Sequence, residues 1–128
     1  EDPDLDYRVL DISVNTFNDA IPSYHHKTIG GYSPVKMQRY QDLIERYLTS
    51  EIRSVYGVLE NAVTVQDVTD SLPLLKMTSA LNGKYIILGA EYPPVENRHA
   101  LGNAWFVSSC VPAATPDEEI ALLAEAAK

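Results

Sequence analysis

The sequence predicts a small α+β domain: a sheet of about three strands, mixed or antiparallel, with helices packed mainly on one face. Three observations predict it. An alternating apolar and polar run opens the chain at residues 7–14 (YRVLDISV). A face with helical spacing follows between Met37 and Leu48. Two apolar runs, KYIIL at 84–88 and AWFVSSCV at 104–111, then have the length and residue types of strands. With 128 residues, 45% of them hydrophobic and 22% charged, the chain reads as one globular domain or part of one.

Taken in order, residues 1–6 are acidic, carry Pro3 and predict a frayed lead-in. In the strand at 7–14, Val9, Leu10 and Ile12 turn inward. A long polar loop spans 15–32. Ser33 as N-cap and Pro34 at the first helical position then start a helix running to Thr49. Its buried face is Met37, Tyr40, Ile44, Tyr47 and Leu48, and Arg39, Asp42, Glu45 and Arg46 take the wet side. Ile52, Val55, Tyr56 and Leu59 suggest a short second helix interrupted at Gly57. The β-branched run Val63, Val65, Val68 reads equally as a short strand or an irregular excursion. Ser71 caps a further helix to Leu81, with Pro73 in its first turn, and Asn82 with Gly83 ends it in a left-handed stop. The strand at 84–88 is expected beside the one at 104–111, with the helix at 34–49 laid across both. Between them, 91–102 reads as a proline-bearing surface loop. Thr115, Pro116, Asp117 and Glu118 form a capping box ahead of a helix carrying Ile120, Leu122 and Leu123. That helix reaches Lys128 without a stop signal, so the domain is expected to continue past residue 128.

The formal net charge is −8. Such a surface disfavours a phosphate backbone, so nucleic acid is not an expected partner, and it disfavours an anionic lipid surface. Eight tyrosines against two phenylalanines tilt the chain towards rings with a polar handle. Cys110 is alone, and its apolar surroundings predict a small core residue. No run approaches the ~20 apolar residues of a membrane span.

The loop at 15–32 holds the candidate ligand-binding residues: Asn15, Asn18, Asp19, Tyr24, His26 and Tyr32. Amides, a carboxylate and phenols in an ordered loop suit sugar hydroxyls, and loops of this kind commonly carry function. The same residue types also satisfy their own backbone in turns, and Asn15, Asn18 and Asp19 are each expected to bond backbone amides. Adjacent His25 and His26 would point to opposite faces of an extended chain, and His99 is distant, so no metal site is expected. Gly30 and Gly31 lack the spacing of a phosphate loop and read as a tight turn under Tyr32. The carboxylate pairs Asp11 with Asp19 and Glu91 with Glu96 are not brought to a defined separation by the sequence. No serine or cysteine carries a nucleophile motif. Catalytic residues, metals and cofactors are therefore expected to be none.

The run YRVLDISVNTFNDAIPSYHHKTIGGYSPVKMQRYQDLIERYL, followed by LNGKYIIL and ALGNAWFV, resembles the YfhO family of bacterial membrane proteins, its Bacteroidetes members most closely. The likeness spans residues 7–107 and consists of N-x-F-N-D, S-Y-x-H-K-x-I-G-G-Y, R-Y-Q-x-L-I, L-N-x-K-Y-x-I and G-N-A-W-F-V in that order. Gly83 departs from the threonine or valine usual after L-N, and residues 51–70 are longer than usual. The resemblance implies a single extracytoplasmic domain, or part of one, belonging to a larger polytopic membrane protein. The membrane part of that protein would be similar to glycosyltransferases that use lipid-linked sugars. Its catalytic carboxylate would lie on an early extracytoplasmic loop outside this chain, so no catalytic residue is carried over. The expected role is an accessory domain on the extracytoplasmic (periplasmic) face of the cell membrane. Its partners would be the membrane portion of the same chain and a cell-envelope glycan. The alternative is a structural or protein-interaction domain that braces the membrane helices. A glycan site predicts Tyr24, His26 and Tyr32 gathered on an open groove; a bracing role predicts an exposed apolar patch. A free-standing enzyme has no motif to support it.

Overall fold

The computed structural model of the chain describes residues 3 and 5–126. Residues 1, 2 and 4 of the acidic lead-in, and the chain end at 127–128, lie outside the described residues. The alternating run gives strand β1 (Arg8–Asp11), which buries Val9, Leu10 and Asp11. The KYIIL run gives β2 (Gly83–Ile87), parallel to β1 with Leu10 opposite Ile86. A third strand, β3 (Val95–Glu96), pairs antiparallel with β2 and sets Val95 against Ile86. The sheet is therefore mixed, in the order β1-β2-β3, within an α+β domain.

The third strand is not the expected one. Residues 104–111 form neither strand nor helix, and the place beside β2 belongs to a segment read from sequence as loop. The reason is the anchoring of 95–97. Val95 is fully buried. The next ladder position is Asn97, whose backbone N–H donates to the Lys84 carbonyl (2.8 Å). Its side-chain amide donates to the Gly83 carbonyl (2.8 Å) and the Ser79 hydroxyl (3.0 Å). One fully buried valine and a satisfied buried amide hold this edge better than a longer apolar run without such fasteners.

The helices follow the periodicity but not the expected ends. Helix α1 (Ile21–His25) lies inside the polar loop. Helix α2 (Gln38–Leu43) passes through a π-helical turn (Ile44–Leu48) into α3 (Thr49–Leu59), so 38–59 is helical without a break. It begins four residues after Pro34: the Ser33 hydroxyl accepts from the Val35 N–H (3.3 Å), and Met37 is an extended, exposed N-cap instead of a core residue. Ile44 and Leu48 are buried and Arg46 exposed, as the spacing predicts, while Tyr47 is half-buried instead of buried. Gly57 does not interrupt the helix; an interior glycine costs only about 1 kcal/mol against alanine.

The valine run at 63–68 is neither strand nor excursion. Thr64 and Asp67 form a capping box that starts α4 (Val65–Ser71), with the Thr64 hydroxyl accepting from the Asp67 N–H and the Asp67 carboxylate accepting from the Thr64 N–H. Those bonds hold the Asp67 carboxyl below its ordinary pKa, the Thr64 bonds being the largest cause. Ser71 thus ends a helix instead of capping one, and Pro73 disfavours helical backbone at Leu72. Helix α5 (Lys76–Ala80) restarts only where Glu51 of α3 reaches over as its cap, accepting from the Met77 and Thr78 N–H groups (2.7 and 2.9 Å) and the Thr78 hydroxyl (2.7 Å). Asn82 then makes the left-handed stop, with φ of 59°. A Cβ on Gly83 would lie 2.5 Å from Thr78 Cγ2 and 2.8 Å from the Thr78 carbonyl, so the space at this position admits only glycine without a shift.

The core gathers Leu10, Ile12, Ile86 and Val95 around the sheet with Ile44, Leu48, Val55, Val68, Leu75 and Met77 from the helices. Helix α6 (Pro116–Ala126) attaches at its first turns. Ile120 is buried, its carbonyl accepts from the Tyr47 hydroxyl (2.5 Å), and Glu119 meets Arg39 at 3.4 Å.

Candidate interaction surface

The polar loop at 15–32 is bound down along its length. Thr16 is buried, and its hydroxyl donates to the Asp11 carbonyl (2.7 Å). The Thr16 carbonyl accepts from the Gly31 N–H (2.7 Å), and the backbone at Gly30 presses so close that a Cβ there would lie 2.0 Å from that carbonyl oxygen. Residues 27–29 run beside β1: Val9 donates to the Lys27 carbonyl (2.8 Å), and Ile29 donates to the Val9 carbonyl (2.9 Å). The Tyr40 hydroxyl donates to the Ile29 carbonyl, and burial raises its pKa, partly offset by the Arg8 charge. The two glycines are thus a close approach and, at Gly31 (φ 117°), a turn.

The six candidate residues divide. Asp19 meets the expectation, its carboxylate accepting from the Ile21 N–H (2.8 Å) ahead of α1. Among the described residues Asn15 and Asn18 bond no backbone amide through their side chains; the Asn18 amide reaches Asn15 Oδ1 at 3.4 Å. Asn15 lines a shallow recess with Thr16, Phe17, Thr49 and Tyr56. Tyr24 (81% exposed), His26 and Tyr32 (59% exposed) stand in solvent, and the larger recesses of the surface are lined by other residues. His25 and His26 close α1, with ring centroids 6.3 Å apart and tilted by 55°, a geometry that an extended chain would not give. Among the described residues no three His, Cys, Asp or Glu side chains gather as metal ligands do. Asp11 is buried at the end of β1, where its Oδ1 accepts from the Ser13 N–H (2.9 Å) and hydroxyl (2.6 Å).

The residues 104–111 present the opposite condition. Phe106 is fully exposed, Val107 and Val111 are 64% and 68% exposed, and Trp105 and Leu101 are also exposed. Cys110 is exposed too, which corrects its reading as a core residue. Among the described residues no hydrogen bond is made by any of 104–113. Tethers stand on either side: the Leu101 N–H donates to the Ser79 carbonyl (3.1 Å), the Asn82 amide donates to Asn103 (3.0 Å), and Glu118 accepts from the Ala114 N–H (2.7 Å). Phe106, Val107 and Val111 border a recess whose other wall is Leu122 and Leu123 of α6. From 101 to 116 the chain has no charged residue. The sequence signal for this surface was present, because an uncharged strand-like run must be buried somewhere. Its assignment to the domain's own core is what the structure overturns.

No protein-family model, no curated protein and no solved structure matches the chain. No helix among the described residues is long and apolar enough to cross a membrane.

Proposed function

We propose that the chain is an accessory interaction domain that braces a larger assembly through residues 104–111, with no chemistry of its own. One observation carries this reading: an apolar, uncharged segment, with Phe106 wholly exposed, is displayed between two anchored ends. A contiguous exposed apolar patch marks a contact site, and buried aromatic anchors dominate such contacts. The order of motifs resembling the YfhO family supports placing the domain on the extracytoplasmic face of a membrane glycosyltransferase-like protein, where the braced surface would be the membrane portion of the same chain. The glycan-contact reading draws support from the exposed Tyr24 and Tyr32 rings, but they share no described recess with the amides of the loop.

The test is site-specific photo-crosslinking in cells producing the full-length protein, with a benzophenone amino acid at Phe106 or, separately, at Tyr24. The expected result is a protein crosslink from position 106 and none from position 24. Glycan adducts at 24 with position 106 silent would overturn the proposal.

A further inference from the structure

We infer that the molecule carries a second contact surface, an apolar groove beside Tyr92 that takes a short cationic peptide segment of a partner protein. This groove is lined by none of residues 104–111, and the inference stands independently of the bracing role proposed for them. Three observations lead to it.

First, the groove is built and left open. A recess of about 290 Å³ lies where the end of α3, the start of α4 and the chain after β2 meet. Its walls include Leu59, Val68 and Leu88, together with Val63 and Tyr92. Val63 is 93% exposed and Tyr92 58% exposed. Two large apolar side chains displayed on one recess form a patch, unlike apolar residues scattered singly over a surface.

Second, the backbone that carries these side chains is already fixed. The Val63 and Thr64 N–H groups donate to the Asp67 carboxylate (3.2 and 2.7 Å), and the Ala62 N–H donates to the Val58 carbonyl (3.1 Å). The Tyr92 N–H donates to the Gly89 carbonyl (3.3 Å). A Cβ on Gly89 would lie 3.5 Å from the Tyr92 ring, so the ring rests against that turn. A surface fixed in advance loses little freedom on binding.

Third, charge selects the occupant. Every residue lining the groove falls within 59–68 or 88–92. From 54 to 75 the chain carries Glu60, Asp67 and Asp70 and no lysine, arginine or histidine. From 85 to 97 it carries Glu91 and Glu96, again with no basic residue. Asp67 is tied to the Val63 N–H, Glu60 follows Leu59, and Glu91 precedes Tyr92; all three acids are exposed. Both stretches that wall the groove are therefore acidic around apolar side chains. They fit a segment that presents one or two apolar side chains with lysine or arginine beside them. An exposed tyrosine ring adds a cation–π acceptor for the same charges. An anionic partner, a second copy at −8 included, meets repulsion here.

The test titrates the protein with a blocked hexapeptide holding two leucines between paired lysines, followed by amide chemical shifts. Two control peptides replace the leucines by serine or the lysines by glutamate. The expected result is a saturable shift of 59–68 and 88–92 together, with both controls binding at least about tenfold more weakly. Val63→Ser and Tyr92→Ala, both at exposed positions, should each weaken binding several-fold while the far-ultraviolet spectrum stays unchanged. Glu91→Lys should weaken it more at low salt than at high salt. Equal binding of the glutamate peptide overturns the cationic occupant, and equal binding of the serine peptide overturns the apolar groove. Shifts centred on 101–111, or none at near-millimolar peptide, overturn the inference and leave the bracing role of 104–111 standing.

Discussion

Residues 15–32 carry amides, hydroxyls, phenols and histidines, and they are stitched down by backbone bonds to Val9 and between Gly31 and Thr16, and by the Thr16 and Tyr40 hydroxyls. Residues 104–111 carry no charge and mostly apolar side chains, and among the described residues they make no hydrogen bond. The composition of the first suggests an exposed ligand loop, and that of the second a core strand. The difference teaches that hydrogen-bond capacity near a sheet edge decides which segment is recruited. The loop offers carbonyls and N–H groups at the spacing β1 needs, and Asn97 donates its backbone N–H and its side-chain amide to β2. The apolar run has no polar side chain as long as Asn97 with which to fasten itself beside β2, whose free side β3 occupies.

The largest effect that would test this contrast lies at Gly30. With the Thr16 carbonyl oxygen 2.0 Å from the position of a Cβ, Gly30→Ala must push backbone against backbone. Such overpacking is expected to cost about 3 kcal/mol, read from urea unfolding. A cost below about 0.5 kcal/mol, the range of an ordinary surface change, would show that the loop is not held against residue 16.

Glu51 comes next. Its half-buried carboxylate takes three bonds from the start of α5, so Glu51→Ala strands two backbone donors and a hydroxyl. The expected loss is about 1–3 kcal/mol, with Glu51→Gln, which retains an acceptor oxygen, losing less. Equal losses for both variants would mean that the cap does not hold the helix.

Tyr40 sharpens the comparison through pH. Burial raises its folded pKa above the ordinary value of 10.0, so its contribution is complete below that value. As pH climbs past it the unfolded chain releases the phenolic proton first, and stability falls until the folded pKa is passed. Alkaline melting of the native protein should therefore be steeper than that of Tyr40→Phe between these two pKa values. Parallel curves would count against a buried Tyr40 hydroxyl anchoring the loop at Ile29.

Much of the fold was legible because the signals were local. The alternation of 7–14, the face Ile44, Tyr47, Leu48, the left-handed Asn82 and the proline-led start of α6 each depend on neighbours in sequence. The capping box at Thr64 and Asp67 was equally local, and the valines beside it masked it. What was not legible depends on distant partners. Helix α5 starts where Glu51, 26 residues away, supplies its cap. The edge strand is two residues long because Asn97 reaches Ser79, 18 residues back. For the candidate site, the sequence located an ordered loop but not which of its groups were already spent. Apolar character alone could not tell whether 104–111 faces its own core or another molecule.

The smallest effects test both regions at once. Asn18 is exposed, and its amide reaches only Asn15 Oδ1 at 3.4 Å, so it is no anchor of the loop, contrary to its sequence-based reading. Phe106 is fully exposed and contributes little to the fold of a single chain. Asn18→Ala and Phe106→Ala should therefore each shift unfolding stability by no more than about 0.5 kcal/mol, as surface substitutions do. A loss of about 3 kcal/mol for Phe106→Ala, the range for a buried aromatic, would place 104–111 in the core and remove the contrast between the two regions. A loss of about 1 kcal/mol or more for Asn18→Ala, the worth of a true hydrogen bond, would instead make the loop more tightly built than its contacts indicate.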